Sequence, residues 1–272
     1  GLRPLLEGFD GIPQAPIDPE LLDVLRPYQR DGVDWLVFLR RAELGALLAD
    51  DMGLGKTITM IATFILHYLP RTLIILPNIL VEQWRTEILR TTGHKVLIYH
   101  GVAKKNITLL QLQQAHIVIA TYGAITIPKK KLTPDLKRED LSLLHQVEWG
   151  RVVFDEGHHL RNKNGRYFGA YALKAKVRWI VTGTPIQNRI KDFYNLCAVL
   201  HMPQSYYADK DNMRNLIDTF VLKRTKAQAG ITLPPITPSN GLLGVSINDS
   251  GVVGYSEPEA GVLCTPGVST SP

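Results

Sequence analysis

Short runs of Ile, Val and Leu that alternate with helical patterns constrain the fold of this 272-residue chain more than any other feature. Several runs are continuously apolar, which is typical of strands buried on both faces of a parallel sheet. The segments between them carry apolar residues at helical spacing. This alternation predicts an α/β fold with a mostly parallel central sheet, flanked by helices and joined by right-handed crossovers. The six predicted strands are residues 45–49, 72–76, 96–99, 117–121, 152–155 and 179–182.

The predicted helices lie before, between and after these strands. Asn78 is predicted to be the N-cap of the third helix, and Pro77 to end the strand before it. The predicted helices are residues 29–43, 57–69, 79–90, 106–115, 165–175 and 192–200.

Composition divides the chain into three segments. Residues 1–24 are rich in Pro and Gly and are predicted to form an extended arm. Residues 25–229 hold the strand and helix patterns, and so are expected to form the folded domain. Residues 230–272 contain no Lys or Arg and a single aromatic residue, Tyr255, and are predicted to be an irregular or disordered tail.

The basic residues are unevenly distributed. All 31 Lys and Arg precede residue 227, so residues 1–230, which hold 22 acidic residues, carry a net charge of +9. Such a balance favours polyanionic partners. The apolar runs are too short to span a membrane. Two cysteines are too few for a disulfide framework or a Cys-rich zinc site, which fits a reducing, intracellular compartment.

A glycine-rich segment, Ala49–Thr57 (ADDMGLGKT), follows one apolar strand and opens one apolar helix. Gly53 and Gly55 would let the backbone N–H groups turn inward toward phosphate oxygens. Lys56, at the N-terminus of the helix, can reach the β- and γ-phosphates of a nucleotide, and the Thr57 hydroxyl can bind Mg²⁺.

Only the second half of the phosphate-loop pattern GxxxxGK[ST] is met, because Asp50 stands at the first glycine. A glycine-rich turn before a helix could also serve packing alone. The Lys56-Thr57 pair and the flanking strand and helix favour phosphate binding.

An acidic pair, Asp155-Glu156, follows the apolar run Val152–Phe154. In an open α/β sheet, ligands bind at the carboxyl ends of the strands. Asp155 would hold Mg²⁺ directly or through water, and Glu156 would orient and polarise the attacking water. Two adjacent acids could alternatively cap a helix.

Adjacent histidines, His158 and His159, follow this pair. A metal site is disfavoured, because neighbouring histidines seldom converge on one ion and no Cys or further His accompanies them. His158 is instead predicted to relay the state of the γ-phosphate to Gln187 by hydrogen bonding.

Seven motifs, in the same order along the chain, resemble those of the first RecA-like lobe of superfamily-two helicases, and specifically of the Swi/Snf family of DNA-translocating ATPases. The similarity covers roughly residues 20–230. The motifs are LRPYQ (25–29, Q motif), DDMGLGKT (50–57, motif I), LIILPNILVEQW (73–84, motif Ia), IVIATY (117–122, motif Ib), DEGH (155–158, motif II), TGTPIQN (182–188, motif III) and LKRTK (222–226, the block closing the lobe).

The resemblance implies a RecA-like lobe that uses ATP and Mg²⁺, with Gln29 contacting adenine. Trp84 could equally pack in the core, and Pro77 could simply end its strand. The implied nucleotide-binding residues are Gln29, Asp51, Met52, Gly53, Leu54, Gly55, Lys56 and Thr57. Lys56, Asp155 and Glu156 are the implied catalytic residues, with Thr57 and Asp155 as Mg²⁺ ligands. Coupling residues would be His158, Thr182, Thr184 and Gln187, and segments that face or support DNA would hold Pro77, Trp84, Thr121 and Tyr122.

The implied function is that of a DNA-dependent ATPase that translocates on duplex DNA in chromatin remodelling, repair or transcription. Nucleosomes or other chromatin proteins would be partners, and a eukaryotic protein would be nuclear. No counterpart of the second lobe and its arginines follows residue 226, so we expect slow hydrolysis by this chain alone. The alternative is a truncated regulatory module that binds nucleotide and DNA without turnover. TGTPIQN and LKRTK disfavour an RNA helicase.

The basic connection at residues 128–145 breaks the strand and helix pattern. It is interpreted as a solvated surface insertion, and alternatively as a basic loop that faces DNA.

Overall fold

The computed structural model describes residues 23–183, 190–207 and 213–231, which exclude most of the predicted arm and tail. Within these residues, seven strands form one sheet: β1 Ala46–Leu48, β2 Thr72–Leu76, β3 Leu97–Tyr99, β4 Ile117–Thr121, β5 Glu148–Phe154, β6 Lys174–Val181 and β7 Val221–Leu222. Their order is β3-β4-β2-β5-β6-β1-β7, and every pairing is parallel. The predicted α/β class with a parallel central sheet is confirmed.

Helices flank the sheet and connect its strands. The α-helices are α1 Pro27–Arg41, α2 Lys56–Leu66, α3 Val81–Thr92, α4 Leu109–Gln114, α5 Tyr122–Ile125, α6 Leu143–Gln146, α7 Gly165–Ala172, α8 Ile190–Val199, α9 Gln204–Tyr207 and α10 Met213–Phe220. Short 3-10 turns cover Asn78–Leu80, Ala103–Asn106, Lys129–Lys131, Arg138–Asp140 and Gly157–Leu160. No helix among the described residues has the length and apolar character that a membrane span requires.

The core lies on both faces of the sheet. Every residue of β1 and β2 is buried, because helices cover both sides, and this explains why their sequences are continuously apolar rather than alternating. Three tryptophans, Trp84, Trp149 and Trp179, are among the largest fully buried side chains.

Two strands begin earlier than their sequences predict. β5 starts at Glu148 and β6 at Lys174, and these first residues pair with each other. The first residues of both strands are too polar to be recognised as apolar runs. Backbone pairing between β5 and β6 nevertheless extends the sheet through them. Helix α7 therefore ends at Ala172, three residues before the end that its sequence predicts.

The N-cap predicted at Asn78 is wrong. Asn78 lies in a 3-10 turn that follows Pro77, and helix α3 starts only at Val81 with Leu80 as its N-cap. β2 does end at Leu76, directly before the proline. β7 was missed altogether, because two residues are too few to give a periodic signal.

The basic connection at residues 128–145 holds two 3-10 turns and α6. Lys129, Lys130 and Lys131 are exposed. Arg138 instead donates hydrogen bonds from Nη1 to the backbone oxygens of His145 (2.7 Å) and Ala172 (3.3 Å). Arg138 thus anchors the connection to the domain, whereas both interpretations of the three lysines remain open.

Candidate functional site

The glycine-rich segment forms the turn between β1 and α2. Gly53 and Gly55 have φ angles of +86° and +75°, in the left-handed region that favours glycine. A Cβ on Gly55 would lie 2.3 Å from Nε2 of Gln29. The turn therefore requires glycine at residue 55 for both conformation and space. Helix α2 begins at Lys56, directly after it.

Residues at the start of α1 hold this turn from one side. The Tyr28 hydroxyl and Gln29 Nε2 each donate a hydrogen bond to the Leu54 carbonyl, both at 3.0 Å. Gln29 Oε1 accepts from the backbone N–H of Arg26 at 2.9 Å. The buried Gln29 amide thus positions the turn, and its contact with adenine stays a prediction.

The Lys56 ammonium lies inside the turn. Its Nζ donates to the backbone oxygens of Asp50 (2.6 Å) and Asp51 (3.2 Å). Burial lowers the pKa of Lys56, while the carboxylates of Asp50, Asp155, Glu156 and Asp51 act in the opposite direction. A positive charge is therefore held at the centre of a loop whose helix N-terminus also favours anions.

Asp155 stands directly after β5 and is buried, with 7% of its surface exposed. Its Oδ2 accepts from Trp84 Nε1 at 2.7 Å and its Oδ1 from the Glu156 backbone N–H at 2.9 Å. Burial raises the pKa of Asp155 to about 6, although the Trp84 hydrogen bond lowers it. Each carboxylate oxygen keeps a further lone pair for a ligand.

The parallel sheet brings the glycine turn and the acidic pair to the same edge. β6 lies between β1 and β5, with Leu48 opposite Val181 and Phe154 opposite Ile180. The carboxyl ends of these strands are therefore level. Lys56 and Asp155, which are about a hundred residues apart in the chain, interact electrostatically at that edge.

Glu156 has a φ of +50°, a left-handed conformation that is uncommon for a residue with a side chain. Its carboxylate is partly exposed, and Oε2 lies 3.1 Å from His158 Nδ1. Backbone strain of this kind concentrates at functional sites. The Glu156 carboxylate is partly exposed whereas Asp155 is buried, so the two adjacent acids have different surroundings.

The end of β6 positions one further predicted coupling residue, Thr182. Thr182 is buried directly after β6, and a Cβ on Gly183 would lie 3.9 Å from Lys56 Nζ. The end of β6 thus lies beside the ammonium. Thr184 and Gln187 lie outside the described residues, so the predicted relay from His158 to Gln187 stays a prediction.

A groove of about 510 Å³ opens at the same edge of the sheet, next to the acidic pair. Pro77, Thr121 and Tyr122, from the segments predicted to face or support DNA, line it. Exposed basic side chains, Lys104 and Arg166, line it as well.

Two of the predicted DNA-facing residues support this groove from within the protein. Trp84 and Tyr122 are 1% and 4% exposed. The Tyr122 hydroxyl donates to the Asp155 backbone oxygen at 2.6 Å, and Trp84 donates to its carboxylate. Core packing of Trp84, one of the two interpretations of its sequence, is therefore what the structure shows, and both aromatic side chains link the groove to Asp155.

Sequence reasoning missed several residues of this region. Lys104 and Arg166 lie outside all recognised motifs. Asp50 was placed in motif I and noted as a break in the loop pattern, but its ion pair with Arg224, from the far end of the domain, was not predicted. The one sequence signal for a special role of Asp50 was that it replaces the first glycine of the loop pattern.

A family model described as the SNF2-related domain matches residues 28–228. An uncharacterized ATP-dependent helicase of Schizosaccharomyces pombe is 33% identical over 261 residues, which is 80% of this chain and 25% of the helicase. The TATA-binding protein-associated factor MOT1 of Saccharomyces cerevisiae is 35% identical over 191 residues, 63% of this chain and 10% of that protein. This chain therefore spans a quarter or less of the length of these two relatives.

A solved structure, the Sulfolobus solfataricus SWI2/SNF2 ATPase core in complex with dsDNA, aligns with a TM-score of 0.62 and 27% identity, over 76% of this chain and 46% of that chain. The same core domain without DNA in its title aligns with a TM-score of 0.58 and 26% identity, over 79% of this chain and 45% of that chain. The fold, the order of the motifs and the match over residues 28–228 lead to one conclusion: the chain belongs to the SNF2-related domain family.

Proposed function

We propose that this chain is the ATP-binding lobe of a DNA-dependent ATPase that acts on duplex DNA. The observation that carries the proposal is the meeting of Lys56, in its glycine turn, with Asp155 and Glu156 at one edge of the sheet. A cation in a loop of backbone N–H groups, opposite a metal-binding carboxylate, is the arrangement that a magnesium–triphosphate requires.

The donor atoms present fit Mg²⁺. Mg²⁺ prefers oxygen ligands and commonly takes one or two from the protein, the rest coming from phosphates and water. Asp155 would supply a carboxylate oxygen and Thr57, in the first turn of α2, a hydroxyl. Among the described residues no group of three or more His, Cys, Asp or Glu side chains could hold a metal ion, so the nucleotide itself would complete the coordination.

Each protein group would then have a separate role in hydrolysis. Lys56 would neutralise the phosphates, and bound Mg²⁺ would offset charge on their oxygens. Glu156, at the partly exposed edge, would orient a water molecule and accept its proton. His158, whose Nδ1 lies 3.1 Å from Glu156 Oε2, would help to position the Glu156 carboxylate.

Nucleotide binding is tested directly with Lys56→Ala. Hydrogen bonds to charged groups contribute about 1.5–3 kcal/mol, so affinity for Mg-ADP is expected to fall about tenfold to 100-fold. Fluorescence titration of the wild-type chain and the variant measures it, and Lys95→Ala, an exposed lysine outside the site, is the control. Equal affinities for wild type and Lys56→Ala would contradict the proposed site.

Acidic pH is expected to weaken binding of the magnesium–nucleotide complex. Burial raises the pKa of Asp155 to about 6, so above that pH the carboxylate is ionised and can bind the metal, whereas below it the proton competes. Affinity should fall by up to about tenfold per pH unit below about pH 6. Nucleotide titrations with and without Mg²⁺ at each pH separate protonation of Asp155 from protonation of the nucleotide. A magnesium-dependent affinity that is equal at about pH 5 and about pH 7.5 would contradict it.

The groove next to Asp155 is the proposed contact for the DNA backbone. Its exposed Lys104 and Arg166 would bind phosphates. The double substitution Lys104→Glu/Arg166→Glu is expected to weaken duplex DNA binding about tenfold or more and to lower its salt dependence by about one unit for each lost contact. Fluorescence anisotropy at several salt concentrations measures both.

The matched control for the groove is Lys176→Glu. Lys176 is an exposed lysine in the opening half of β6, toward the other edge of the sheet. It should leave DNA affinity nearly unchanged. If Lys176→Glu lowered DNA affinity as much as the groove variant, the loss would be a non-specific charge effect, and the groove would lose its support as the DNA contact.

The names of two relatives support a chromatin setting: MOT1 is named as a TATA-binding protein-associated factor, and a Danio rerio relative, 30% identical over 246 residues, as a SWI/SNF-related regulator of chromatin. We propose chromatin as the setting, and the nucleus as the location if the protein is eukaryotic. Binding of nucleotide and DNA without turnover would favour the regulatory-module alternative. DNA-stimulated turnover would favour the enzyme.

A further inference from the structure

The carboxylate of Asp50 is buried, which is an unfavourable environment for a charged group. Asp50 lies two residues after β1, in the phosphate loop, and is 2% exposed. Burying a charged carboxylate is costly unless a partner neutralises it and satisfies its oxygens. Its carboxylate plays no part in the hydrolysis scheme above, so the presence of a buried acidic residue at this point of the loop needs another physical reason.

Arg224 supplies that partner from the end of the domain. Its Nε donates to Asp50 Oδ1 at 3.0 Å and its Nη2 to Oδ2 at 2.5 Å. The backbone N–H of Arg224 also donates to Oδ1, at 3.0 Å. The pair is bidentate and almost fully buried, with side-chain exposures of 12% and 2%. A bidentate Arg–carboxylate pair fixes the relative orientation of the two side chains in addition to the electrostatic attraction between them.

Backbone contacts extend the attachment along the loop. Ala49 N–H donates to the Leu222 oxygen at 2.7 Å, and Asp51 N–H donates to the Arg224 oxygen at 3.0 Å. The Lys226 N–H donates to the Asp51 carboxylate at 3.3 Å. The segment 222–226, which overlaps the end of β7, is therefore bound to residues 49–51, the first three residues of the phosphate loop.

Arg224 also reaches the elements that hold the other half of the loop. Its Nη1 donates to the Tyr28 backbone oxygen, and its guanidinium lies 5.4 Å from the centre of the Tyr28 ring. A Cβ on Gly32 would lie 3.0 Å from Nη2. Tyr28 in turn donates to Leu54. One side chain thus connects β7, the start of α1 and both ends of the glycine turn.

We infer that Arg224 is a positioning residue for the phosphate loop, and that docking of segment 222–226 and nucleotide binding favour each other. This inference rests on the proposed nucleotide site. Coupling between two binding events is reciprocal. A nucleotide should tighten the attachment of the segment, and any partner or domain motion that pulls the segment from β1 should loosen the nucleotide.

Two single variants and their combination test the link in the full 272-residue chain. Arg224→Gln and Asp50→Asn are each expected to weaken Mg-ADP binding about tenfold. Both substitutions break the same ion pair. The affinity of the double variant for Mg-ADP should therefore equal that of the weaker-binding single variant, whereas two independent effects would multiply their losses of affinity. Arg224→Lys, which keeps the charge but loses the fork, should restore little.

Lys223→Gln is the matched control, since Lys223 is the exposed neighbour in the same segment. It should bind Mg-ADP within about twofold of wild type. Folded Arg224→Gln with wild-type affinity would overturn the inference and leave Arg224 a structural role only. If the wild-type chain itself binds no nucleotide, the proposed function fails instead, so the two failures are distinguishable.

Hydrogen exchange on the wild-type chain gives a readout that does not depend on whether a variant folds. Saturating Mg-ADP is expected to slow exchange of the Arg224 and Lys226 amides, together with the loop amides of Ala49 and Asp51. Slower exchange in the loop, with no change in segment 222–226, would overturn the reciprocal link.

Discussion

Glu156→Gln should lower the rate of ATP hydrolysis by about 10²–10⁴-fold, the usual contribution of a positioned general base, while affinity for Mg-ADP stays within about threefold. Gln keeps the shape of the side chain but cannot accept the proton of the attacking water. Phosphate release in the presence of duplex DNA measures the rate, and fluorescence titration measures the affinity.

Glu139→Gln is the control for this substitution, because Glu139 is an exposed acid in the basic connection, outside the site. It should leave both quantities unchanged. A Glu156→Gln variant that hydrolyses ATP at the wild-type rate would remove Glu156 from the mechanism. Wild-type turnover too slow to measure, with normal nucleotide binding, would instead favour the regulatory module.

Gly169→Ala should destabilise the domain by about 3 kcal/mol or more, through overpacking. A Cβ at residue 169 would lie 1.8 Å from the backbone oxygen of Ile125 and 2.6 Å from its carbonyl carbon. Backbone atoms cannot rotate away as a side chain can, so helices α5 and α7 would have to separate. Alanine gains about 1 kcal/mol over glycine in a helix, which does not offset the clash. Urea unfolding measures the change.

Gly123→Ala is the matched control, in α5 itself. The nearest atom to its Cβ would be Thr121 Oγ1 at 3.9 Å, an ordinary contact, so stability should be unchanged or slightly higher. The comparison bears on function, because α5 carries Tyr122 and α7 carries Arg166, two residues of the proposed DNA groove. Equal stabilities of the two variants would show that α5 and α7 do not pack as closely as the structure has them.

Local motifs carried most of the prediction of the site. The glycines at 53 and 55, the lysine that opens α2 and the acids after β5 are each recognisable in a few residues, because their chemistry depends on neighbours in sequence. Continuous apolar runs likewise predicted a parallel sheet, since burial on both faces leaves no place for polar residues. The length of β5 and β6 was underestimated where pairing, rather than hydrophobicity, extends them.

The role of Trp84 shows where local reasoning ends. Its motif suggested DNA and its helical position suggested the core with equal weight, and only packing places its Nε1 at 2.7 Å from Asp155. The same holds for Tyr122, whose aromatic ring would suit either a groove wall or the interior. Burial, not residue type, distinguishes a side chain that touches a ligand from one that supports the residue that does.

The sequence by itself determined the parallel α/β class, through apolar runs that alternate with helical patterns, and the positions of the glycine turn and the acidic pair, through a few adjacent residues. Only the tertiary structure decided which distant residues complete the site: Arg224 on Asp50, Trp84 and Tyr122 on Asp155, and Lys104 beside Arg166 in the groove. Those contacts join segments up to 174 residues apart, and they arise from strand order and register, which no local pattern specifies.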